Sequence, residues 1–241
     1  MKSLSVVIPA HDEAPRIVAT LTRLLEWLPG VVAELELIVV DDGSTDGTRE
    51  IVEREFGGRV RVLRHGLCSG KGSAVRTGVR AARGTWILMT DADLSIPIEE
   101  LSALERHTAS APIVIGSKRA PGTRVEYPLA RRIAGALGQQ LVDVCVVRGF
   151  HDTQCGFKLY RADVARELFE AGRIDGFGFD FEILMLARRA GYAVVEVPVR
   201  VEHRAGGSVR ASSYLHTLAE VARVNWLRVR GAYPRPRGRN D

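Results

Sequence analysis

Apolar and polar positions divide the chain into two regimes. Between residues 4 and 116, short apolar runs alternate with longer stretches whose apolar residues recur at helical spacing. Residues 4–9, 35–40, 60–63, 86–89 and 113–116 read as strands, being short, apolar or β-branched, and bounded by turn residues. Residues 14–28 carry Ile17, Leu21, Leu24, Leu25 and Leu28 on one helical stripe. Residues 48–56 and 74–82 read as the next two helices, and residues 97–104 as a short one. Strand and helix in alternation predict a parallel sheet covered on both faces.

After Gly116 the pattern changes. Residues 128–147 read as a helix, with Ala130, Ile133, Ala134, Leu137, Leu141, Val144 and Cys145 on one stripe. Residues 152–160 read as a polar, tight segment. Residues 162–170 and 181–190 read as helices, 193–199 as a strand and 214–229 as a last helix, before a tail bearing Arg235, Arg237 and Arg239. No period of 20–50 residues repeats, and no linker separates two units. The chain therefore reads as one domain over residues 1–230 with a basic, flexible tail over 231–241.

Composition narrows the class. The 241 residues suit one large α/β domain, and 46% apolar with 26% charged residues is ordinary for a soluble globule. No apolar stretch approaches the roughly 18 residues of a membrane span. Met1-Lys2-Ser3-Leu4 runs straight into a strand, which reads as the absence of a signal peptide. Cys68, Cys145 and Cys155 lack metal-binding spacing and suggest a reducing, cytoplasmic setting without zinc. A net charge of +5 favours an anionic partner. The basic residues are scattered and not interleaved with aromatics, which argues against nucleic acid and against a purely basic binding module.

The chemistry gathers at strand ends. His11-Asp12-Glu13, Asp41-Asp42 and Asp91-Ala92-Asp93 each follow a strand, and in a parallel sheet those ends share one edge. Acidic clusters brought together repel unless a cation or hydrogen-bond donors compensate. Read as extended backbone, Asp91 and Asp93 point the same way, and two hard oxygen donors suit Mg²⁺ or Mn²⁺. Such acids also cap helices, which is the bland alternative for each cluster.

Gly70-Lys71-Gly72 opens a helix, a setting for an anion. It is not a Walker loop: His65 stands at the first Gly position and Gly72 follows the lysine. No Gly-x-Gly-x-x-Gly follows the first strand, which disfavours a dinucleotide oxidoreductase. The Gly-rich N-terminal loop of a pyrophosphorylase is missing too, which disfavours a nucleotidyltransferase. Asp152-Thr153-Gln154-Cys155-Gly156-Phe157-Lys158 mixes an acid, an amide and a glycine, with a plain turn as the alternative. Cys155 lacks an apparent base partner for a nucleophilic role. Gly178-Phe179-Asp180-Phe181-Glu182 places two acids at a helix start, where capping is the competing role. His203-Arg204 and Arg210 bracket a Gly-rich loop that could close on a diphosphate.

Together these segments resemble glycosyltransferase family 2, the inverting GT-A enzymes. Val7-Ile8-Pro9-Ala10-His11-Asp12-Glu13 is similar to the family's Val-Ile-Pro-x-Tyr-Asn-Glu, with His and Asp as departures. Asp41-Asp42-Gly43-Ser44 matches the family's nucleotide-binding motif, and Asp91-Ala92-Asp93 its metal-binding Asp-x-Asp. The segments 152–158 and 179–182 look like those of the dolichyl/polyprenyl-phosphate β-glucosyltransferases, with the mannosyl branch next. Two features depart from that branch. Gly207-Ser208-Val209-Arg210 replaces a Gly-Ser-Lys, and the membrane anchor common in the dolichol enzymes is absent from this sequence.

The resemblance implies an α/β fold of the GT-A (Rossmann-like) kind, a three-layer sandwich around a mostly parallel central sheet. Residues 1–116 would form the nucleotide-sugar half and 117–230 the acceptor half. It implies a metal-dependent hexosyltransferase moving glucose from UDP-glucose to a polyprenyl or dolichyl phosphate. GDP-mannose as donor and a soluble hydroxyl as acceptor stay open as alternatives. Pro9, His11, Glu13 and one of Asp41 and Asp42 would hold base and ribose. Asp93, with Asp91, would hold Mg²⁺ or Mn²⁺ on the diphosphate. Lys71, Lys118 and Arg204 would neutralise the leaving group, and Asp152 and Asp180 would position the acceptor or act as base. Arginines flank the apolar stripes of residues 128–147 and 214–229, which suggests peripheral work at the cytoplasmic face of a membrane. Packing of both stripes on the sheet or on another subunit is the commoner outcome.

Overall fold

Seven strands hydrogen-bond in the order β3-β2-β1-β4-β6-β5-β7. The computed structural model describes residues 1–121, 123, 138–202 and 211–233. β1 (Ser3–Ala10), β2 (Glu34–Asp41), β3 (Arg61–Arg64) and β4 (Trp86–Met89) pair parallel. They alternate with α1 (Ala14–Trp27), α2 (Thr48–Phe56) and α3 (Lys71–Ala81), as the apolar pattern predicts. After α4 (Leu101–Glu105) and β5 (Ile113–Ser117), residues 138–145 are helical (α5). Then follow β6 (Lys158–Arg161), α6 (Ala162–Ala171), α7 (Phe179–Arg189), β7 (Val194–Pro198) and α8 (Ala211–Val229).

Strand alternation builds two cores. Val7, Ile38, Val40, Ile87, Met89, Ile113 and Ile115 face one side, where α3, α6 and α7 cover them. Val6, Ile8, Leu37, Val39, Leu88 and Val114 face the other, against Ile17, Leu21 and Leu24 of α1 and Leu101 and Leu104 of α4. The result is the expected three-layer α/β sandwich.

Three local readings change. First, β6 overlaps the end of the polar, tight segment read over residues 152–160. It runs antiparallel between β4 and β5, with Lys158 opposite both Met89 and Ile115. A four-residue strand that begins in lysine and ends in arginine shows no apolar run to read. Second, α3 starts three residues earlier than its apolar spacing suggests. Gly70 takes φ +101° directly before it, and a Cβ there would lie 2.4 Å from the Asp175 carbonyl, so the close approach requires glycine. Third, Asp91-Ala92-Asp93 is not extended. β4 stops at Met89, and the Leu94 N–H donates to the Asp91 carbonyl at 3.2 Å, closing a turn. The Thr20 hydroxyl ties that turn to α1 through the Ala92 carbonyl at 2.6 Å.

Of the helix read over residues 128–147, residues 128–137 lie outside the described residues, as do 122 and 124–127, 203–210 with Arg204 and Arg210, and 234–241 of the tail. No helix among the described residues is long and apolar enough to cross a membrane.

Candidate active site

Register brings the acidic strand ends to one edge. Ala10 pairs with Asp41 and Val7 with Met89, so β1, β2 and β4 all finish on the same side. Asp42 is the hub of the first cluster. Its carboxylate accepts from His65 Nδ1 at 2.7 Å, from the Ser69 N–H at 2.9 Å and from the Gly70 N–H at 2.8 Å. Burial opposes the charge, but these bonds and the Cys68 thiol outweigh it and hold the Asp42 carboxyl below the usual range. His11 Nδ1 donates to the Asp42 carbonyl at 2.9 Å. Asp41 accepts the Ser44 N–H at 3.0 Å, which sets the turn after β2. Pro9 is part-buried near the end of β1. Glu13 accepts from Arg16 at 2.8 Å. Burial pushes the Glu13 carboxyl up against the pull of Arg16, with the charges of Asp93 and Asp91 adding to the rise.

Beside this lies a chain of alternating charges. Lys71, in the first turn of α3, donates to Asp91 Oδ1 at 2.7 Å. Gly156 closes the other side of that carboxylate: a Cβ at Gly156 would fall 1.9 Å from Asp91 Oδ2. Against burial, Lys71 first and then Lys118 and Lys158 hold the Asp91 carboxyl below its usual range. Lys158 of β6 is fully buried and pairs with Asp180 in the first turn of α7. Burial pushes the Asp180 carboxyl up despite Lys158 and Lys71. Asp93 accepts the Ser95 N–H at 2.9 Å and is part-exposed.

The donor set can be tested for a metal. Among the described residues, no three His, Cys, Asp or Glu side chains gather as a cage. Asp91 and Asp93 offer hard carboxylate oxygens without imidazole or thiolate, and Glu13 feels both charges. That set fits an oxygen-loving divalent cation whose remaining ligands are ligand oxygens and water.

On the other side of the edge, Asp152 is buried, and its Oδ2 accepts the Lys118 N–H at 3.0 Å. Gln139 of α5 accepts from the Thr153 hydroxyl at 3.0 Å and donates to the Phe150 carbonyl at 3.0 Å, fixing the approach to Asp152. Burial, and then Asp152, push the Cys155 thiol up to about 12, which agrees with an inert cysteine.

The structure places His11, Glu13, Asp41, Asp42, Lys71, Asp91 and Asp93 about the carboxyl ends of β1, β2 and β4, with Lys118 after β5 bonded to Asp152 and Asp180 paired with the buried Lys158. Four residues of the site were not singled out from the sequence. His65 bonds Asp42 and Thr77, and Gly156 leaves room for Asp91, contacts that the local sequence does not show. Lys158 sits at the end of the 152–158 segment, where nothing local shows its burial against Asp180. Glu196, on β7, accepts the backbone N–H groups of His151 and Asp152 at 2.9 and 2.8 Å.

The sheet order, with its antiparallel β6, and the acid-lined edge define the GT-A glycosyltransferase fold. A crystal structure of glucosyl-3-phosphoglycerate synthase from Mycobacterium tuberculosis, in complex with Mn²⁺, UDP-glucose and phosphoglyceric acid, shares it. Its TM-score is 0.68 at 19% identity, covering 93% of this chain and 80% of that one. The chain belongs to glycosyltransferase family 2: the family model for Glycosyl transferase family 2 matches residues 5–169. It is similar to a dolichyl-phosphate beta-glucosyltransferase of Trichomonas vaginalis, 32% identical over 90% of this chain and 69% of that protein. It is also similar to an undecaprenyl-phosphate mannosyltransferase of Micrococcus luteus, 31% identical over 91% of this chain and 92% of that protein. The resemblance read from the motifs is therefore borne out, and the chain is a glycosyltransferase.

Proposed function

We propose that the enzyme transfers glucose from UDP-glucose to a polyprenyl phosphate, with inversion at C1. The observation that carries this reading is the line of Asp42, the Lys71–Asp91 pair and Asp152 along the strand ends, in a chain whose relatives include dolichyl-phosphate glucosyltransferases. Residues 1–116 would bind the donor and 117–230 the acceptor. Pro9, His11, Glu13 and Asp41 or Asp42 would hold the nucleoside. The depressed Asp42 carboxyl stays ionised and rigid, held by His65, Cys68, Ser69 and Gly70, and so fixes the wall of that pocket.

Asp93, with Asp91, would hold Mg²⁺ or Mn²⁺. Such a cation supplies positive charge where the diphosphate leaves. Lys71 and Lys118 add fixed charge to the same region, which is electrostatic stabilisation of the departing group. Arg204, outside the described residues, is assigned to that task as well. A phosphate acceptor is already ionised and attacks C1 from the face opposite the leaving group. It needs no strong base, so Asp152 and Asp180 position acceptor and sugar. The burial of Asp180 against Lys158 favours such a fixed role. Cytoplasmic-face work at a membrane fits α8, which leaves Leu218, Trp226 and Val229 exposed.

Mannosyl transfer from GDP-mannose is the second reading. The near full-length match to the Micrococcus luteus mannosyltransferase favours it. Calorimetric titration with UDP-glucose and GDP-mannose, each with Mn²⁺, separates the two. UDP-glucose is expected to bind at least about tenfold more tightly, a difference of 1.4 kcal/mol. The reverse order replaces glucose by mannose, and no binding of either contradicts a nucleotide-sugar site.

A further inference from the structure

We propose that Glu196, on β7, is the positioning residue for the acceptor side of the site, setting Asp152 against Lys118. The inference rests on the acceptor-side role given to Asp152 above.

The N–H groups of His151 and Asp152 both end on one side chain. Glu196 Oε1 accepts the Asp152 N–H at 2.8 Å, and Oε2 accepts the His151 N–H at 2.9 Å. The His151 ring adds a third bond, Nδ1 to Oε2 at 2.8 Å. Burial works against the Glu196 charge, but these donors and the Ser117 hydroxyl outweigh it and keep the carboxyl below its usual range. Hydrogen bonds to an ionised acceptor are the stronger kind, so one carboxylate fixes the 151–152 segment.

The same carboxylate governs the strand beside it. β5 and β7 run parallel with Ile115 opposite Glu196, which places Ser117 within reach. The Ser117 oxygen in turn accepts the Ala120 N–H at 2.9 Å and the Arg119 N–H at 3.3 Å, shaping the loop that leaves β5. Lys118 lies between these anchors, and its N–H is the donor to Asp152 Oδ2. Glu196 therefore holds both partners of the Lys118–Asp152 contact from underneath, without standing at the reacting edge. The Lys118 charge also reaches Asp91 and Lys71, so a shift here is felt on the donor side.

A residue that only held the fold together would lower stability and every binding step alike. A positioning residue loosens Asp152, so turnover falls while donor binding stays. A displacement of about 1 Å at a reacting group can cost on the order of 10²-fold.

The test is a double-mutant cycle on turnover with UDP-glucose, Mn²⁺ and polyprenyl phosphate, with thermal unfolding recorded for each variant. Glu196→Ala is expected to lower kcat roughly 10–100-fold while the donor KM changes by less than about threefold. Glu196→Gln keeps one oxygen for the Asp152 N–H and is expected to recover most of the loss. In an Asp152→Asn background, Glu196→Ala should add less than about threefold, because both act through one group. If Glu196→Ala does not fold, Glu196→Thr, β-branched to suit the strand and without the carboxylate, takes its place in the cycle with the same expected coupling. Multiplicative losses in the double variant, or a donor KM that moves as far as kcat, overturn the positioning role and leave the reading of Asp152 intact. Wild-type turnover in Asp152→Asn alone overturns both.

Discussion

Lys71 and Asp91 form a 2.7 Å ion pair that joins the first turn of α3 to the turn after β4, twenty residues on in sequence. In the proposed reading, the pair links the donor and acceptor sides. Asp91 feels Lys118 and Lys158 as well as Lys71, while Lys71 feels Asp180. Gly156 fixes the carboxylate by leaving room for it.

That contact gives the first prediction. A methyl at position 156 would overlap Asp91 Oδ2, so Gly156→Ala must displace the carboxylate or the loop. Overpacking of this kind costs about 1–3 kcal/mol, while turnover should fall on the order of 10²-fold. Thermal unfolding beside initial rates checks it. Wild-type turnover in Gly156→Ala would show that the position of Asp91 does not matter.

Asp93→Asn keeps the side chain's shape and its acceptor oxygen for the Ser95 N–H while losing the anionic donor. The variant should fold as the wild type does, bind Mn²⁺ more weakly in the presence of UDP-glucose, and lose turnover by roughly 10²-fold or more. EDTA should abolish wild-type turnover, and Mn²⁺ should restore it. Full activity in EDTA would sink the metal assignment.

Asp42 predicts a pH dependence of stability. Its folded-state pKa lies below the unfolded value of about 3.9. Its stabilising contribution is therefore fully present above that value and is lost as pH falls through the lower folded pKa. Asp42→Asn turns an amide toward the Ser69 and Gly70 N–H donors and should cost about 1.5–3 kcal/mol at neutral pH. Urea unfolding between neutral and acid pH should show the gap to wild type closing below about pH 4. A constant gap across that range would mean the hydrogen bonds do not depend on the charge.

Much of this architecture was legible in the sequence. β1, β2, β4 and β5 are short apolar runs ending in turn residues, and the acids at their ends mark the edge where ligands bind. What was not legible depends on contacts far along the chain. β6 became readable only once Lys158 is seen paired with Asp180, because a buried lysine breaks the apolar pattern of a strand. Asp91-Ala92-Asp93 was read as extended, whereas the Leu94 N–H and Thr20 close a turn around it. Glu196 alternates with apolar neighbours as a surface strand residue would, and nothing local shows that its carboxylate faces the 151–152 backbone.

α8 carries a prediction about the membrane. Leu218, Trp226 and Val229 are exposed, and the Arg230 guanidinium lies 4.3 Å over the Trp226 ring. The protein should cosediment with anionic vesicles and less with neutral ones. High salt should weaken the binding, at about 1 kcal/mol per basic residue engaged. Trp226→Ala with Val229→Ser should reduce it without changing the rate on a short, water-soluble prenyl phosphate. Protein that stays in the supernatant with anionic vesicles at low salt would assign the exposed face to another partner.

The central claim is the transfer itself, and one assay meets it directly. Radiolabelled UDP-glucose, polyprenyl phosphate and Mn²⁺ are incubated with the purified enzyme, and label entering the organic phase is followed together with UDP release. The account predicts a lipid-soluble, mild-acid-labile glucosyl phosphate of β configuration, formed one for one with UDP and lost in Asp93→Asn. Label that stays in the aqueous phase while UDP is released, or that passes only to a soluble hydroxyl acceptor, would contradict it.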